Sequence, residues 1–379
     1  MTADVEAYLQ ELRSWVEIET PTADSEAVNR LGAIIARSAE QAGLAVERLP
    51  GAPGLGDLIL ARGGRQTEAP GLLVLAHMDT VHPKGTLERD LPWRLDGDRQ
   101  YGPGIYDMKG SALLALQAWR DISAAGRAPN HPVTFLFSPD EEVGSPGSRP
   151  IIEAEARRAF ATFVVEPARD GGKIVVGRKG IARFTITAQG VPAHSGSNFE
   201  QGRSAIREMA RQLLDLEALT DLEQGLTVSV NTIAGGSSPN TIAGNCAITV
   251  DVRLKRPDQG DLILSRIRSI KPYDPDVTIK VEGGLNRPPF FPDIPANRLF
   301  DHARRLAARS GIDLVGVEAG GASDGNFAAA SGTPTLDGLG VDGAGAHTLD
   351  EYILISSIAP RIQLFGDLLA ETTAGDVEV

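Results

Sequence analysis

The amino-acid sequence predicts an α/β protein: a mostly parallel sheet with helices on both faces, interrupted by a smaller inserted α+β domain. Three features predict it. Residues 1–177 alternate continuous apolar runs with amphipathic stretches, the rhythm of βαβ units. From 178 to 287 apolar and polar residues alternate one by one, as in strands with one wet face. Over 288–379 the first rhythm returns, so the flanking stretches read as two parts of one domain.

Each element follows from its local pattern. Residues 3–18 and 25–42 read as helices, AVERLP (45–50) and DLILARG (57–63) as strands. GLLVLAH (71–77) is apolar throughout, as in a strand buried on both faces. Residues 109–124 are helical, and VTFLFS (133–138) and ATFVVEP (161–167) are again buried strands. In the insertion RKGIARFTITAQG (178–190), GLTVSVNTIAGG (225–236) and NCAITVDVRLK (245–255) alternate. Helices are expected over 201–219 and 259–270, then the strand VTIKVEGG (277–284). LNRPPFFPDIP (285–295) is a proline-rich connection to the helix NRLFDHARRLAARSG (297–311). There is no internal repeat, and the last eight residues, TTAGDVEV, are expected to fray.

Composition narrows the function classes. With 379 residues, 42% hydrophobic and 23% charged, the chain suits a two-domain globular protein. Its 37 basic and 50 acidic side chains leave a net charge of −13, which repels phosphate backbones and argues against nucleic-acid partners. Cys246 is the single cysteine, so no internal disulfide forms; in CAITVDV it reads as a small buried side chain. The N-terminal stretch is an amphipathic helix with acids throughout and no apolar core of a secretory signal. No run approaches the ~20 apolar residues of a membrane span. These features lead to the expectation of a cytoplasmic protein without membrane partners.

The polar residues that interrupt the apolar pattern fall at strand ends, where open α/β sheets bind ligands. GLLVLAH ends in His77, followed by Met78 and Asp79. YGPGIYDMKG delivers Asp107 just before a helix. VTFLFSP delivers Asp140, Glu141 and Glu142, ATFVVEP delivers Glu166, and GLGVDGAGAHTLDE delivers His347. Three adjacent carboxylates repel one another unless water or a cation lies among them. A His, Asp, Glu, Glu, His set without thiolates suits zinc, or manganese or cobalt in its place. Two ions ~3.5–4 Å apart and sharing one carboxylate would use all five residues. One of the paired glutamates could then bind metal while the other moves a proton.

HMDTV, YGPGIYDMKG, SPDEEVGS, VVEP and GAHTLDE, in this order and spacing, resemble the co-catalytic di-zinc metallopeptidase family of glutamate carboxypeptidase, aminoacylase and succinyl-diaminopimelate desuccinylase. The resemblance extends over essentially the whole chain, including the insertion with VPAHSG, and is nearest to the glutamate carboxypeptidase branch, which has glutamate in the VVEP position. It implies a zinc-exopeptidase-like catalytic domain with an inserted lid or dimerisation domain. It also implies two zinc ions, one held by His77, Asp107 and Glu166 and the other by Asp107, Glu142 and His347. By the same resemblance Asp79 would orient His77, Glu141 would serve as general base and then acid, and a cis peptide would follow Asp107. His194, in PAHSG, would stabilise the oxyanion from the partner subunit of a homodimer. Asn240 and Arg253 match positions that grip the terminal carboxylate of an N-acyl amino acid or short peptide. Lys173, Arg178 and Lys179 are candidates for a side-chain carboxylate, and Gly321 and Ser323 are expected to line the pocket. His82, His131 and His302 match no motif and read as structural or surface residues. The reaction implied is release of a C-terminal amino acid, glutamate before others, from an amide; deacylation, desuccinylation and hydrolysis of an aromatic amine are the alternatives within the family.

Other classes fit less well. Gly321-Ala322-Ser323-Asp324-Gly325 is a G-x-S-x-G, with Asp337 or Asp342 and then His347 behind it, the order of a serine hydrolase. That reading crowds acid and base close to the serine and leaves His77, Asp107, Glu141, Glu142 and Glu166 idle. GPGIYD lacks the last glycine of a dinucleotide loop, since Asp107 stands there. A non-catalytic paralogue would be expected to have lost Glu141 or a ligand, and none is lost.

Overall fold

The apolar run Gly71–His77 forms the strand on which the larger sheet is built, and every residue of it is buried. The computed structural model describes residues 3–65 and 67–378. Six strands line up in the order Ala45–Leu49, Leu58–Gly64, Pro132–Ser138, Gly71–His77, Ala159–Val164, Thr335–Leu336. The last four are mutually parallel, and the first two add antiparallel at one edge. The sheet is buried on both faces because successive side chains of a strand point opposite ways. Leu72, Val74, Phe135, Phe137 and Phe163 pack into the layer of helices Ala3–Val16, Ser25–Gln41, Gly110–Ala124, Ile294–Arg309 and Ile355–Glu371. Leu73, Leu75, Leu136 and Val164 pack on the other side with Ile152 of helix Arg149–Ala156 and Phe327 of helix Gly325–Ala330.

Register sets the site. His77 pairs with Ser138, and Leu75 with Val164, so three parallel strands end nearly level. The chain moves from the central strand to one neighbour and returns across it to the other, which opens a crevice at the carboxyl ends.

The chain divides into two compact units. The first runs to Gly177 and resumes over Pro292–Ala319 and from Ser323 onward; the second is Arg178–Phe291 with Gly320–Ala322. The second unit is a four-stranded antiparallel sheet, ordered Thr227–Gly235, Asn245–Leu254, Gly180–Gln189, Thr278–Arg287. Helices Ala205–Glu217 and Pro257–Arg268 cover one face, packing Met209, Leu216, Ile263 and Ile267 against Phe184, Ile186, Ile248 and Val250. Cys246 is buried in that layer, as its place in an alternating strand implies.

Two local expectations change. The stretch 178–190 is not one strand: Ile174–Arg178 and Gly180–Gln189 are separated at Lys179. Gly180 is required there, because a β-carbon would stand 2.7 Å from Pro289 N. The C-terminal residues do not fray as expected. Asp376 caps a short turn by accepting Thr373 N–H (3.0 Å) and Oγ–H (2.8 Å), and its Oδ1 lies 2.9 Å from His302 Nδ1. Val379 lies outside the described residues. Among the described residues no helix is long and apolar enough to cross a membrane.

Candidate metal centre

His77 and Glu166 follow directly from the ends of two neighbouring parallel strands, and Glu142 from a short turn, Glu141–Val143, after a third. Asp107 arrives on the kinked turn Ile105–Lys109, non-helical at Asp107 and Met108, ahead of helix Gly110–Ala124. The approach to it needs Gly104: its φ is +68°, and a β-carbon would stand 2.4 Å from Thr80 Cγ2. The Asp107–Met108 peptide is cis, as the resemblance implied. His347 comes from the glycine-rich loop with φ +63°, a conformation uncommon for a residue with a side chain and frequent at functional sites.

These side chains meet as two triads, His77–Asp107–Glu166 and Asp107–Glu142–His347, with the potential ligand atoms of each within 4.8 Å of one another. Asp107 belongs to both. Its Oδ1 lies 3.1 Å from His77 Nε2 and its Oδ2 3.3 Å from His347 Nε2. His77 Nε2 is also 3.8 Å from Glu166 Oε1, and His347 Nε2 is 3.2 Å from Glu142 Oε2.

The electrostatics call for positive charge. His77 is buried, which favours its neutral form, yet the carboxylates of Asp107, Asp79 and Glu166 pull its pKa well above the ordinary value. His347 is raised to about 10 by its bonds to Asp107 and Glu142. Burial pushes Asp107 up, but hydrogen bonds from His347 and His77 outweigh it and hold the carboxyl below the usual range. Burial raises Glu142, against the pull of His347 and with the repulsion of Asp107. The two Nε2 atoms thus face carboxylate oxygens across the space in which a cation would be bound. Among the described residues Glu142 Oε1 is buried with no hydrogen-bond partner, an acceptor that costs free energy unless a cation meets it. Two imidazoles and three carboxylates, one of them with this orphaned oxygen, fit a pair of divalent ions.

The three adjacent acids have separate tasks. Asp140 is fully buried and accepts Gly147 N–H (2.6 Å), Ser148 N–H (3.3 Å) and the Ser148 hydroxyl, tying down the start of helix Arg149–Ala156. Glu142 faces His347. Glu141, between them, is half-buried on the same turn.

Asp79 lies against the Nδ1 side of the His77 ring. The nearer partner of His77 Nδ1 is the main-chain carbonyl of Asp79 at 2.9 Å, while the carboxylate Oδ1 stands at 3.5 Å. That carboxylate also accepts the N–H groups of Glu141 (3.1 Å) and Glu142 (3.2 Å) and the Thr22 hydroxyl (2.7 Å).

The sequence profile described as peptidase family M20/M25/M40 matches residues 73–371. The chain belongs to that family. It is a carboxypeptidase-like hydrolase of the metallopeptidase class. Carboxypeptidase G2 of Pseudomonas sp. (strain RS-16) is 32% identical over 386 aligned residues, covering 99% of this chain and 91% of that protein. Succinyl-diaminopimelate desuccinylase of Delftia acidovorans is 25% identical over 360 residues, covering 89% and 92%. Among solved structures, aminopeptidase PepT from Bacillus cereus has the same fold, with a TM-score of 0.81, 19% identity and coverage of 97% and 98%.

The other residues that the M20 resemblance singles out are distributed over both units. His194, Asn240, Arg253 and Gly321 belong to the second, Lys173 and Ser323 to the first. His194 is exposed, and its Nδ1 accepts the N–H groups of Gly196 (3.2 Å) and Ser197 (3.1 Å). The neutral ring therefore carries its proton on Nε2. Asn240 supports the same loop by accepting Ser195 N–H (2.9 Å) and Oγ–H (3.0 Å) at its carbonyl. Arg253 forks onto Asp251, with Nε at 2.6 Å and Nη2 at 3.2 Å from its two oxygens. Lys173 is half-buried in a tight turn closed by Arg169. Gly321 is exposed, and its carbonyl accepts Arg178 Nη1 at 3.3 Å.

Ser323, expected to line a pocket, is fully buried. Its hydroxyl donates to Asp337 Oδ2 (2.5 Å) and accepts Gly325 N–H (3.0 Å). Among the described residues its hydroxyl meets a carboxylate and an amide and no imidazole, and His347 is engaged with Asp107 and Glu142, so the serine-hydrolase alternative fails on geometry. His82, read as structural or surface, is buried and paired at 2.6 Å with the buried Glu351, to which the sequence assigned no role.

Proposed function

We propose that the chain is a zinc-dependent amidohydrolase that releases a C-terminal amino acid, glutamate before others, from an N-acyl or short-peptide conjugate. The observation that carries this reading is the meeting of two triads at Asp107, with Glu141 on the adjoining turn. The 32% identity to a protein named carboxypeptidase G2 supports the substrate class. His77, Asp107 and Glu166 would hold one ion, and Asp107, Glu142 and His347 the other; zinc suits the donors best, with manganese or cobalt as substitutes. Bound there, the two ions would supply Lewis acidity to the attacking water and the scissile carbonyl.

The chain's own residues would do the rest. Glu141 takes a proton as water adds to the amide carbon and returns it to the nitrogen as the C–N bond breaks. His194, with its proton on Nε2, donates to the oxygen that becomes negative. It would do so in the active site of a partner subunit, which makes the proposed assembly a homodimer and the 178–287 insertion its lid and dimerisation domain. Arg253, with Asn240, would grip the terminal carboxylate, exchanging Asp251 for the substrate. Lys173 would meet the glutamate side chain. The cytoplasm is the compartment this reading assigns.

The test is release of free amino acid from a panel of N-acyl amino acids, folate-type N-aroyl glutamates among them, on metal-stripped protein and after zinc is restored. Restored release led by glutamate conjugates is expected. Restoration on other conjugates alone would leave the mechanism standing and overturn the substrate. Such an outcome would assign the chain to the deacylase or desuccinylase reactions of the same family.

A further inference from the structure

Glu351 is the last residue of GAHTLDE, four positions beyond His347, and its carboxylate is entirely removed from solvent. All its visible partners belong to the approach to Asp107 or hold it from behind. Oε1 accepts the N–H of Tyr106 and of Asp107 itself, each at 2.9 Å. Oε2 accepts the N–H of Gly104 at 2.9 Å and faces His82 Nε2 at 2.6 Å. A carboxylate has only acceptors, so the His82 proton is on Nε2 and the ring is a fourth donor. Gly102 N–H reaches the main-chain carbonyl of Glu351 at 3.4 Å. Three consecutive odd features of the loop, the left-handed Gly104, the kinked turn and the two-sided Asp107, therefore converge on one side chain.

We infer that Glu351 is the positioning residue for Asp107, and that His82 completes its grip. The inference rests on the reading that Asp107 is shared by two ions. A residue whose Oδ1 and Oδ2 serve different centres must have its plane fixed about the backbone, since rotation that suits one centre misdirects the other. Glu351 fixes that backbone through three N–H groups. The pair also has the shape of outer partners that orient ligands at metal sites, here acting through main chain.

The shared role gives a signature. Removing a ligand of one triad, as in Glu166→Gln, should weaken one ion. Disturbing Glu351 should weaken both together. Glu351→Gln places an NH2 among four donors, so at least one contact must break. Zinc affinity would be measured by competition with a chromophoric chelator, and the coordination of each centre by the visible spectrum of the cobalt-loaded protein. Thermal unfolding in chelator would report the fold. The expected result is a loss of ~10–100-fold in the affinity of both ions, with altered cobalt bands and a retained transition. His82→Gln, which keeps the Glu351 charge and its three amide bonds, should give a smaller loss of the same two-ion kind. That second variant decides the matter should Glu351→Gln not fold. Parent protein that takes up fewer than two ions would overturn the underlying reading. Two ions in the parent, with unchanged affinities and cobalt spectrum in Glu351→Gln or, failing that, in His82→Gln, would overturn this one alone.

Discussion

Asp79 Oδ1 accepts the backbone N–H of Glu141 at 3.1 Å, and Oδ2 takes Glu142 N–H at 3.2 Å. The residue two places after His77 thus pins the turn that carries both glutamates, while its carbonyl holds the His77 ring. One residue sets the spacing between two strand ends. Asp79→Ala should therefore cost more than a surface acid: ~1–3 kcal/mol for the buried donors left unpaired, and ~10–100-fold in metal affinity. Denaturant unfolding and chelator competition measure the two. Parent-like values for both would mean that the turn holds itself.

Glu141→Gln keeps the size of the side chain and removes its capacity to take a proton. The expected outcome is a fall in kcat of ~10²–10⁴-fold, with metal content and thermal transition as in the parent. A proportional loss of metal would instead make Glu141 a ligand.

A third prediction concerns the helix that Asp140 ties down. Arg62 forks onto Glu155 of helix Arg149–Ala156, with Nη1 and Nη2 at 2.9 and 2.8 Å. Hydrogen bonds from Arg62 hold the Glu155 carboxyl below its ordinary value of 4.5, against a smaller effect of burial. A carboxyl with a lowered folded pKa contributes stability that is fully present above 4.5 and is lost as pH falls through the folded value. Glu155→Gln should be less stable than the parent by about 1 kcal/mol at neutral pH, the partly exposed arginine limiting the effect. The gap should narrow progressively below pH 4.5 in urea unfolding. A gap independent of pH would assign the loss to packing.

The candidate centre was legible because its residues interrupt apolar strands at their ends: His77, Glu142 and Glu166 follow runs that have no other reason to stop in a charged group. Which acid of Asp140-Glu141-Glu142 does what came from the family resemblance alone, since the residues themselves do not tell it and the division depends on the turn that folds two N–H groups back onto Asp79. A capping role for Asp140 had a faint signal in the Ser148-Arg149-Pro150 helix start. Arg253 and Asp251 had a clear one: residues two apart on a strand share a face, and V-D-V-R puts acid and base together. Glu351 had none, because nothing in T-L-D-E distinguishes a buried acceptor from the exposed Asp350 beside it. Ser323 was expected at the pocket from its position in the chain alone, and position leaves burial open.

Ser323 also carries the last prediction. Its hydroxyl donates to Asp337 Oδ2, and Asp337 is fully buried, with Oδ1 accepting Gly338 N–H at 2.5 Å. Ser323→Ala removes one donor from a buried carboxylate and one acceptor from Gly325 N–H, so stability should fall by ~1–3 kcal/mol. Chemistry at the metal centre should be nearly untouched, with kcat within a few-fold of the parent at a temperature where both remain folded. A serine-directed fluorophosphonate should leave both proteins active, because the hydroxyl is sealed from solvent, and a strong chelator should silence both until zinc is returned. The two reagents divide the possibilities cleanly. Inactivation by fluorophosphonate that Ser323→Ala abolishes would require Ser323 to be reachable and nucleophilic, and would transfer the chemistry from Asp107 to the G-x-S-x-G turn.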